Sequence, residues 1–296
     1  MKILLTGGTG FVGNYVAEKL VEKGHTVRAL VRPGSESKLR IRAKCEIAHG
    51  DVTDLQSISK AAGGCDAVVH LVGIIREFPS KGITFQRTHF ESTCNVAAAA
   101  TDTGIKRFVH MSALGTRPDT PTKYWSSKWA AEEHLRSLDL ELTIFRPSVI
   151  IGPGGEFAAL LKQMASAPVT PVIGNGEYLM QPVAIWNVAD FFARALEESR
   201  TVGKAYEVGG PESMSYNQML EIAGEVLGRK VRLIHFPAFP VKAASAVLDR
   251  FSFWPVTRDQ LKMLSVDTVC DNSPLLEDLP ADLVPYREAL SRAFNE

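Results

Sequence analysis

The sequence predicts an α/β protein with a doubly wound parallel sheet and a smaller, interleaved C-terminal α/β domain. Short, nearly continuous apolar runs alternate with helical patterns through the first half of the chain. Such runs are typical of parallel strands whose two faces are both covered. A glycine-rich turn follows the first run and opens the first helix. Repeated strand–helix–strand units with such a turn indicate a doubly wound sheet.

The apolar runs place the strands of the large domain. They are predicted at residues 2–6, 26–31, 46–49, 67–72, 107–111, 142–146 and, late in the chain, 205–208. Val12, Val16 and Leu20 recur at helical spacing after the first run, and Gly24 follows where a C-terminal cap is expected. Further helices are predicted at residues 92–100, 126–138 and 187–199.

The predicted domain boundary is interleaved. The large domain takes residues 1–150 and about 180–210, and the smaller domain takes residues 151–179 and 211–296. After Pro147 the alternation loosens into loop-rich stretches at 152–155 and 168–176. From Ser215 a helix to about Leu227 and a short strand at 231–234 begin the second part of the smaller domain.

Composition and charge exclude several classes of protein. The chain has 296 residues, 45% of them hydrophobic, and 33 basic residues balance 33 acidic ones. This balance leaves no net field to attract nucleic acid. The four cysteines form no CxxC pair, which favours a reducing compartment. The first apolar run is too short for a signal peptide and no run reaches membrane-span length, so we expect a cytoplasmic protein without a membrane span.

The glycine turn predicts a nucleotide site. Glycines permit a tight turn, let backbone amides approach a pyrophosphate and allow close helix–strand packing, as in Rossmann-type folds. The helix that follows supplies unpaired N–H groups and a favourable dipole. The predicted contacts of this turn are Gly7, Thr9, Gly10, Phe11, Val12 and Gly13.

The end of the second strand favours NADP over NAD. NAD-binding proteins of this type use an acidic side chain there for the ribose 2′-hydroxyl. This chain has Arg32 and no acid before Glu36. A planar guanidinium can stack on adenine and pair with a 2′-phosphate. Five further residues at later strand ends are predicted nucleotide contacts: Asp51, Val52, Leu71, Val72 and Gly73.

A tyrosine and a lysine suggest a catalytic site. Tyr124 and Lys128 are four residues apart and therefore lie on one face of a helix. Ser112 ends the fifth predicted strand, at the sheet edge where open α/β proteins bind ligands. Together with a nucleotide turn, the residues Ser112, Tyr124 and Lys128 form a specific pattern and are the candidate catalytic residues.

These features together resemble the short-chain dehydrogenase/reductase superfamily, of the extended or atypical type. The resemblance covers nearly the whole chain and includes the segment 146–149 after the sixth strand. Residues 70–77 resemble the NDUFA9-like branch, which is related to a subunit of respiratory complex I. The resemblance implies that Tyr124 is the general acid/base and that Lys128 holds the nicotinamide ribose and favours the tyrosinate. It also implies that Ser112 orients the substrate oxygen and that Pro147, Val149 and Ile150 lie near the nicotinamide.

The chain departs from many extended members at one position, because it has His89 where they carry asparagine. The connection from Ser112 to Tyr124 is also short, with eleven intervening residues. That length matches the atypical branch, in which some members keep the cofactor and turn over little. Three functions therefore stay open: an NADP-dependent oxidoreductase, a noncatalytic NADP(H)-binding accessory, assembly or redox-sensing protein, and a nucleotide-sugar epimerase or dehydratase.

We expect a small-molecule substrate that is apolar or quinone-like, and the sequence leaves open a protein partner or a homo-oligomer. The predicted substrate cleft is lined by Ile74, Tyr124, Val149 and residues 152–157. An aromatic cluster at 251–254 is a second candidate wall of such a pocket. His70 and His110 lie on predicted strands and are expected to be satisfied interior histidines and not metal ligands.

Overall fold

A computed structural model describes residues 1–241, 245, 257–263 and 266–295. The strands are β1 Lys2–Thr6, β2 Thr26–Val31, β3 Glu46–His49, β4 Ala67–His70, β5 Arg107–Met111, β6 Glu141–Pro147, β7 Ile150–Ile151, β8 Thr170–Ile173, β9 Leu179–Met180, β10 Val183–Ala184, β11 Lys204–Val208, β12 Met214–Ser215 and β13 Leu233–Phe236. The helices are α1 Phe11–Glu22, α2 Leu55–Ala62, α3 Ser92–Asp102, α4 Lys123–Arg136, α5 Glu156–Ser166, α6 Ile185–Ala195, α7 Tyr216–Val226, α8 Arg258–Met263, α9 Ser273–Asp278 and α10 Tyr286–Asn295. A π-helical turn at Gln86–Glu91 leads into α3.

The first of two compact units carries the main sheet and comprises Met1–Pro147, Trp186–Glu207 and Asn272–Ala281. Seven strands form this sheet in the order β11–β6–β5–β4–β1–β2–β3. The pairings from β3 to β6 are all parallel. The predicted fold class, a doubly wound parallel sheet of Rossmann type, is confirmed. The strand order reverses between β1 and β4, which is where such sheets bind ligands.

Apolar side chains cover both faces of this sheet. On one face Leu4, Val68 and Phe108 are fully buried against Ile58 of α2 and Val96 of α3. The opposite face carries a cluster of aromatic rings, in which Phe145 lies 4.8 Å from Phe192 and 5.7 Å from Tyr206 between ring centroids. Burial on both sides is the reason why the strands appear in the sequence as continuous apolar runs.

Several predicted elements differ from the structure at their ends. β4 stops at His70, two residues before its predicted end, and the backbone of Leu71 and Val72 then lies close to Gly7. α4 begins at Lys123 because the Thr122 hydroxyl accepts a hydrogen bond from the Trp125 amide at 3.2 Å and caps the helix. The helix predicted at 187–199 is α6, which begins two residues earlier, at Ile185, and ends four residues earlier, at Ala195.

The second unit comprises Ser148–Ile185, Val208–Asp271 and Asp282–Glu296. Its described residues form three two-stranded pairings, of which β8 with β13 is the longest. Residues 168–176 were expected to be a loop, but this parallel pairing makes a strand of Thr170–Ile173. α7 begins with a capping box in which Ser215 and Gln218 each satisfy the other's backbone amide. The aromatic cluster at 251–254 lies outside the described residues.

One late segment, Asn272–Ala281, belongs to the first unit although the sequence placed it in the smaller domain. Asp278 of this segment accepts hydrogen bonds from the Lys204 ammonium at 2.6 Å and the Tyr206 hydroxyl at 2.5 Å. These two partners lie on β11, so the segment is held against the edge strand of the large sheet. Such a long-range ion pair leaves no periodic signal in the sequence.

Candidate nucleotide and catalytic site

The glycine turn between β1 and α1 lies against the end of β4. Gly7 has a φ of +81°, and a Cβ there would lie 3.0 Å from the Leu71 carbonyl carbon and 3.1 Å from the Val72 nitrogen. A Cβ on Gly13 would collide with the Gly7 carbonyl oxygen. Gly10 caps α1 without a side-chain hydrogen bond, and the first turn contains no acidic residue. The turn therefore fits a pyrophosphate, which needs close backbone approach and free helix amides. Three further predicted residues are partly exposed beside it: Thr9, Phe11 and Val12.

Asn14 holds this turn in place, although it was not among the residues predicted from the sequence. Its side-chain amide donates to the carbonyl oxygens of Gly10 and Lys38, both at 3.0 Å. Its carbonyl oxygen accepts from the Arg40 amide at 2.8 Å. The side chain thus ties the start of α1 to the segment after β2. A buried asparagine on a helical face gives no sequence signal for such contacts.

Arg32 lies at the exposed end of β2, as expected for a residue that meets the adenosine end of a nucleotide. The nearest acid, Glu36, folds back so that its carboxylate accepts from the Gly34 amide at 3.0 Å. Backbone amides of Glu36 and Gly34 lower the pKa of this carboxyl, which is therefore ionised. Arg40 places its guanidinium 4.3 Å from the centroid of the Tyr15 ring.

Asp51 and Val52 are engaged in local structure after β3. The Asp51 carboxylate accepts from the Thr53 amide at 2.9 Å and from the Thr53 hydroxyl at 2.8 Å. The Val52 carbonyl oxygen accepts from the side chain of Asn95 at 3.1 Å. These bonds close a turn without a ligand, and the nucleotide contacts of both residues stay a prediction.

Lys128 is buried beside the loop that follows β4. Its ammonium donates to the Met111 carbonyl oxygen at 3.1 Å, and only 3% of the residue is exposed. A Cβ on Gly73 would lie 3.2 Å from the Lys128 Nζ atom and 3.6 Å from the His89 Nε2 atom. The structure therefore brings together Gly73, a predicted nucleotide contact, and Lys128, which the resemblance places at the ribose. Burial lowers the pKa of Lys128 to about 8, while the Glu132 carboxylate raises it in part.

This lowered pKa predicts a pH-dependent stability. The folded-state pKa of Lys128 lies below its usual 10.5, so between these values the unfolded chain binds more protons. The contribution of Lys128 to the free energy of unfolding should therefore rise with pH from about 8 to about 10.5, by up to about 3 kcal/mol. Buried phenols such as that of Tyr124, whose pKa is raised to about 12, change stability in the opposite direction at the top of this window, so the contribution is measured as a difference between variants. In urea titrations, the difference in stability between the wild type and Lys128→Met should change with pH by this amount. Lys60→Met, at an exposed site on α2, should follow the pH dependence of the wild type; the same pH dependence in Lys128→Met would contradict the burial.

Tyr124 lies in the first turn of α4, close to Lys128. The centroid of its ring is 6.0 Å from the Lys128 Nζ atom, 5.4 Å from the His89 ring and 5.7 Å from the Phe85 ring. Burial raises the pKa of the phenol to about 12. Desolvation of the phenol dominates here, and the implied effect of Lys128 on the tyrosinate stays a prediction. A protonated phenol suits a proton donor.

Ser112 directly follows β5 and is buried. Its hydroxyl donates to the Thr116 hydroxyl at 3.3 Å. Trp125 ties α4 to this loop, since its indole N–H donates to the Leu114 carbonyl oxygen at 2.8 Å. The Leu114 amide donates in turn to the Pro147 carbonyl oxygen at 2.9 Å. The loop after β5 is thus fixed to α4 and to the end of β6.

Val149 and Ile150 belong to the second unit. The Val149 carbonyl oxygen accepts from the Val183 amide at 3.0 Å, and Ile150 pairs with Val183 between β7 and β10. The predicted contacts of Pro147, Val149 and Ile150 with the nicotinamide stay a prediction.

His70 and His110 are buried side by side, with ring centroids 5.4 Å apart. His70 is satisfied by the hydroxyls of Thr6 at 2.6 Å and Thr93 at 3.1 Å. Neither ring nitrogen of His110 has a hydrogen-bond partner among the described residues. The expectation of a satisfied histidine is therefore confirmed for His70 and wrong for His110. Burial holds the pKa of His70 at about 3 and that of His110 well below the usual value, so both rings are neutral.

A family model places the chain among known proteins. The model of the NAD dependent epimerase/dehydratase family matches residues 3–209, more than half of the chain. The glycine turn, Ser112, Tyr124 and Lys128 all lie within the match. The chain belongs to this family, and the predicted membership of the extended short-chain dehydrogenase/reductases is confirmed.

Two known proteins are similar to this chain over nearly its whole length. A mitochondrial NADH dehydrogenase [ubiquinone] 1 alpha subcomplex subunit 9 from Arabidopsis thaliana is 28% identical, covering 95% of this chain and 73% of its own. A ceramide reductase from Caulobacter vibrioides is also 28% identical, covering 94% of this chain and 89% of its own. The predicted similarity to the complex I subunit branch is confirmed.

Solved structures share the fold. The structure of gox2253 has a TM-score of 0.81 and 27% identity, covering 99% of this chain and 96% of its own. A UDP-glucuronic acid 4-epimerase from Bacillus cereus, in complex with UDP-glucuronic acid and NAD, has a TM-score of 0.76 and 20% identity, covering 100% of this chain and 98% of its own. At that identity the second similarity concerns the fold alone.

Proposed function

We propose that this protein is an NADP(H)-dependent oxidoreductase that transfers hydride to or from a small carbonyl or hydroxyl compound of apolar or quinone-like character. The observation that carries the proposal is the buried Lys128 ammonium, which lies beside Gly73 and within the helix that presents Tyr124. Among the described residues this ammonium has a hydrogen bond to the Met111 carbonyl oxygen and no ion pair with a carboxylate, and a buried ammonium in such a setting is costly to maintain. A ribose that accepts its hydrogen bonds would explain its presence.

The residues of the chain have distinct tasks in this reaction. The amides of the glycine turn bind the pyrophosphate, and Lys128 binds the ribose hydroxyls. The bound nicotinamide supplies or accepts the hydride at its C4 atom. In the direction of reduction, Tyr124 gives its proton to the substrate oxygen, and Ser112 holds the same oxygen by a hydrogen bond. Solvent then returns a proton to the tyrosinate.

An apolar substrate is supported by the loop after β4. Ile75 in this loop is 56% exposed and thus offers an aliphatic side chain to a ligand. The relative named a ceramide reductase supports the same class, since ceramide is a lipid. The cleft lined by Ile74, Tyr124, Val149 and residues 152–157 stays a prediction.

The preference for NADP is a separate prediction that depends on Arg32. Titrations should show NADPH binding more tightly than NADH by about tenfold or more, or about 1.4 kcal/mol, through a charge-assisted contact. Arg32→Ala should bring the two affinities within about threefold of each other. Arg42→Ala removes another exposed arginine and should leave the preference intact. Equal affinities in the wild type, or tighter NADH binding, would contradict the proposal.

Two other functions have support of their own. The relative named as a complex I subunit favours a noncatalytic nucleotide-binding accessory or assembly protein with a protein partner. The family description favours an epimerase or dehydratase. Steady-state consumption of NADPH with a panel of carbonyl compounds would support the oxidoreductase, and isomerisation of a nucleotide sugar without net redox change would support the epimerase.

The remaining expectations concern partners and location. In the part of the chain that the structure describes, no helix is long and apolar enough to cross a bilayer. A cytoplasmic location and a protein partner or homo-oligomer stay proposals, and the neutral charge balance gives no support for a nucleic-acid partner.

A further inference from the structure

His89 lies at the junction of three segments of the first unit. It is 2% exposed and sits in the π-helical turn Gln86–Glu91. Such turns often occur at functional sites because they shift a side chain out of helical register. Its ring stacks on Phe85 at 5.3 Å and meets the edge of Tyr124 at 5.4 Å, between centroids. Both ring nitrogens also have polar neighbours.

The hydrogen bonds around the His89 ring favour one of its two neutral tautomers. The Ser127 hydroxyl donates its only hydrogen to the Tyr124 carbonyl oxygen at 2.8 Å. The His89 Nδ1 atom, 2.8 Å from the same hydroxyl oxygen, must then be the donor to it. The Nε2 atom, 3.0 Å from the Ile74 amide nitrogen, is left as the acceptor of that N–H. In the other tautomer the proton is on Nε2, which would donate to the Ile74 carbonyl oxygen, also at 3.0 Å. The Ile74 N–H would then face the Nε2–H, so that two donors would meet.

The resulting chain of hydrogen bonds crosses the proposed site. It runs from the Ile74 amide through His89 and Ser127 to the backbone of Tyr124. Ile74 directly follows Gly73, the residue whose backbone lies against the Lys128 ammonium. The chain therefore sets the distance between the loop at the ribose position and the helix turn that carries the phenol.

We propose that His89 is a positioning residue, held as the neutral Nδ1–H tautomer, that fixes Tyr124 relative to the loop carrying Gly73. The role rests on the proposed oxidoreductase function, in which Tyr124 must meet a substrate oxygen. A shift of about 1 Å at a reacting group can cost about 100-fold in rate. Burial and the charge of Lys128 keep the pKa of His89 at about 2, so the ring stays neutral.

His70 provides an internal reference for the tautomer. The Thr93 hydroxyl donates to the His89 carbonyl oxygen at 2.5 Å, so its oxygen must accept from the Nε2 atom of His70. The Nδ1 atom of His70 then accepts from the Thr6 hydroxyl at 2.6 Å. The two buried rings are thus expected to be opposite tautomers within one protein.

NMR of protein labelled with ¹⁵N-histidine measures this directly, without a substrate. The signals of His89, assigned by their loss in His89→Phe, should show a protonated Nδ1 and an unprotonated Nε2, and His70 should show the reverse. Neither ring should titrate between about pH 5.5 and about pH 8. A His89 ring protonated at Nε2, or one that titrates in this range, would overturn the proposal.

Kinetics test the positioning role with the aldehyde that the wild type reduces fastest. His89→Phe keeps the ring beside Phe85 but loses both polar contacts, so kcat should fall about tenfold or more while the Kd of NADPH changes less than about threefold. His89→Gln keeps a donor and an acceptor and should recover part of kcat. His134→Phe, near the end of α4, should leave both constants unchanged.

Failure of the positioning role and failure of the proposed function give different results. An unchanged kcat in His89→Phe, or equal losses in His89→Phe and His89→Gln, would contradict the positioning role. A wild type that binds NADPH and reduces no carbonyl compound would instead contradict the proposed function, whereas the NMR measurement would still decide the tautomer and its contacts.

Discussion

Replacing Tyr124 by phenylalanine is expected to lower turnover by about 100-fold or more, because the reaction loses its proton donor. The Kd of NADPH should remain nearly unchanged, since the amides of the glycine turn and the Lys128 ammonium are untouched. The raised pKa of the phenol, about 12, keeps it protonated at neutral pH. Stopped-flow measurement of NADPH oxidation in the wild type and in Tyr124→Phe would show the difference.

Two controls make this result specific. Tyr178→Phe removes another phenol, in the second unit, and should keep full turnover. Lys128→Ala should weaken both NADPH binding and turnover, because Lys128 is proposed to hold the ribose. Full activity in Tyr124→Phe on a confirmed substrate would show that the catalytic assignment is wrong.

Substitution of Gly13 by alanine is expected to lower the affinity for NADPH by about 100-fold or more. Alanine normally stabilises a helix interior by about 1 kcal/mol relative to glycine. Here its Cβ would collide with the backbone of Gly7 and Gly8, so the turn or the helix must move. The free energy of unfolding should fall by about 1–3 kcal/mol, as for other overpacked sites. Calorimetric titration with NADPH and urea denaturation measure the two effects.

Gly63→Ala is the matched control. Gly63 follows α2, and a Cβ there would be 3.6 Å from its nearest neighbour, an ordinary contact. This variant should keep the wild-type stability within about 0.5 kcal/mol and the wild-type affinity. If Gly13→Ala behaved like Gly63→Ala, the close approach of helix and turn could not be the basis of the nucleotide site.

The strands and the glycine turn could be predicted because they depend on local pattern. A strand such as β5, covered on both faces, must be apolar nearly throughout, and a turn such as that at Gly7 tolerates no side chain. These features are constrained within a few residues of sequence.

The remaining features depend on pairs of residues far apart in the chain. β8 contains Pro171 and looks like a loop until β13, about sixty residues later, pairs with it. The role of Asn14 depends on the Lys38 carbonyl oxygen and the Arg40 amide, in the segment after β2. His89 acquires a defined tautomer only because a π-helical turn brings it between Ile74 and Ser127. No periodicity in the sequence reports such contacts.

Transfer of deuterium from NADPH labelled at C4 tests the central claim most directly. Single-turnover incubation of the protein with labelled NADPH and a panel of apolar aldehydes and ketones should yield an alcohol that carries the label on its carbinol carbon. One NADP⁺ should form for each labelled alcohol, and Tyr124→Phe should form neither at a comparable rate. Tight binding of NADPH with no label transferred to any carbonyl compound would contradict the oxidoreductase and favour a protein that only holds its nucleotide.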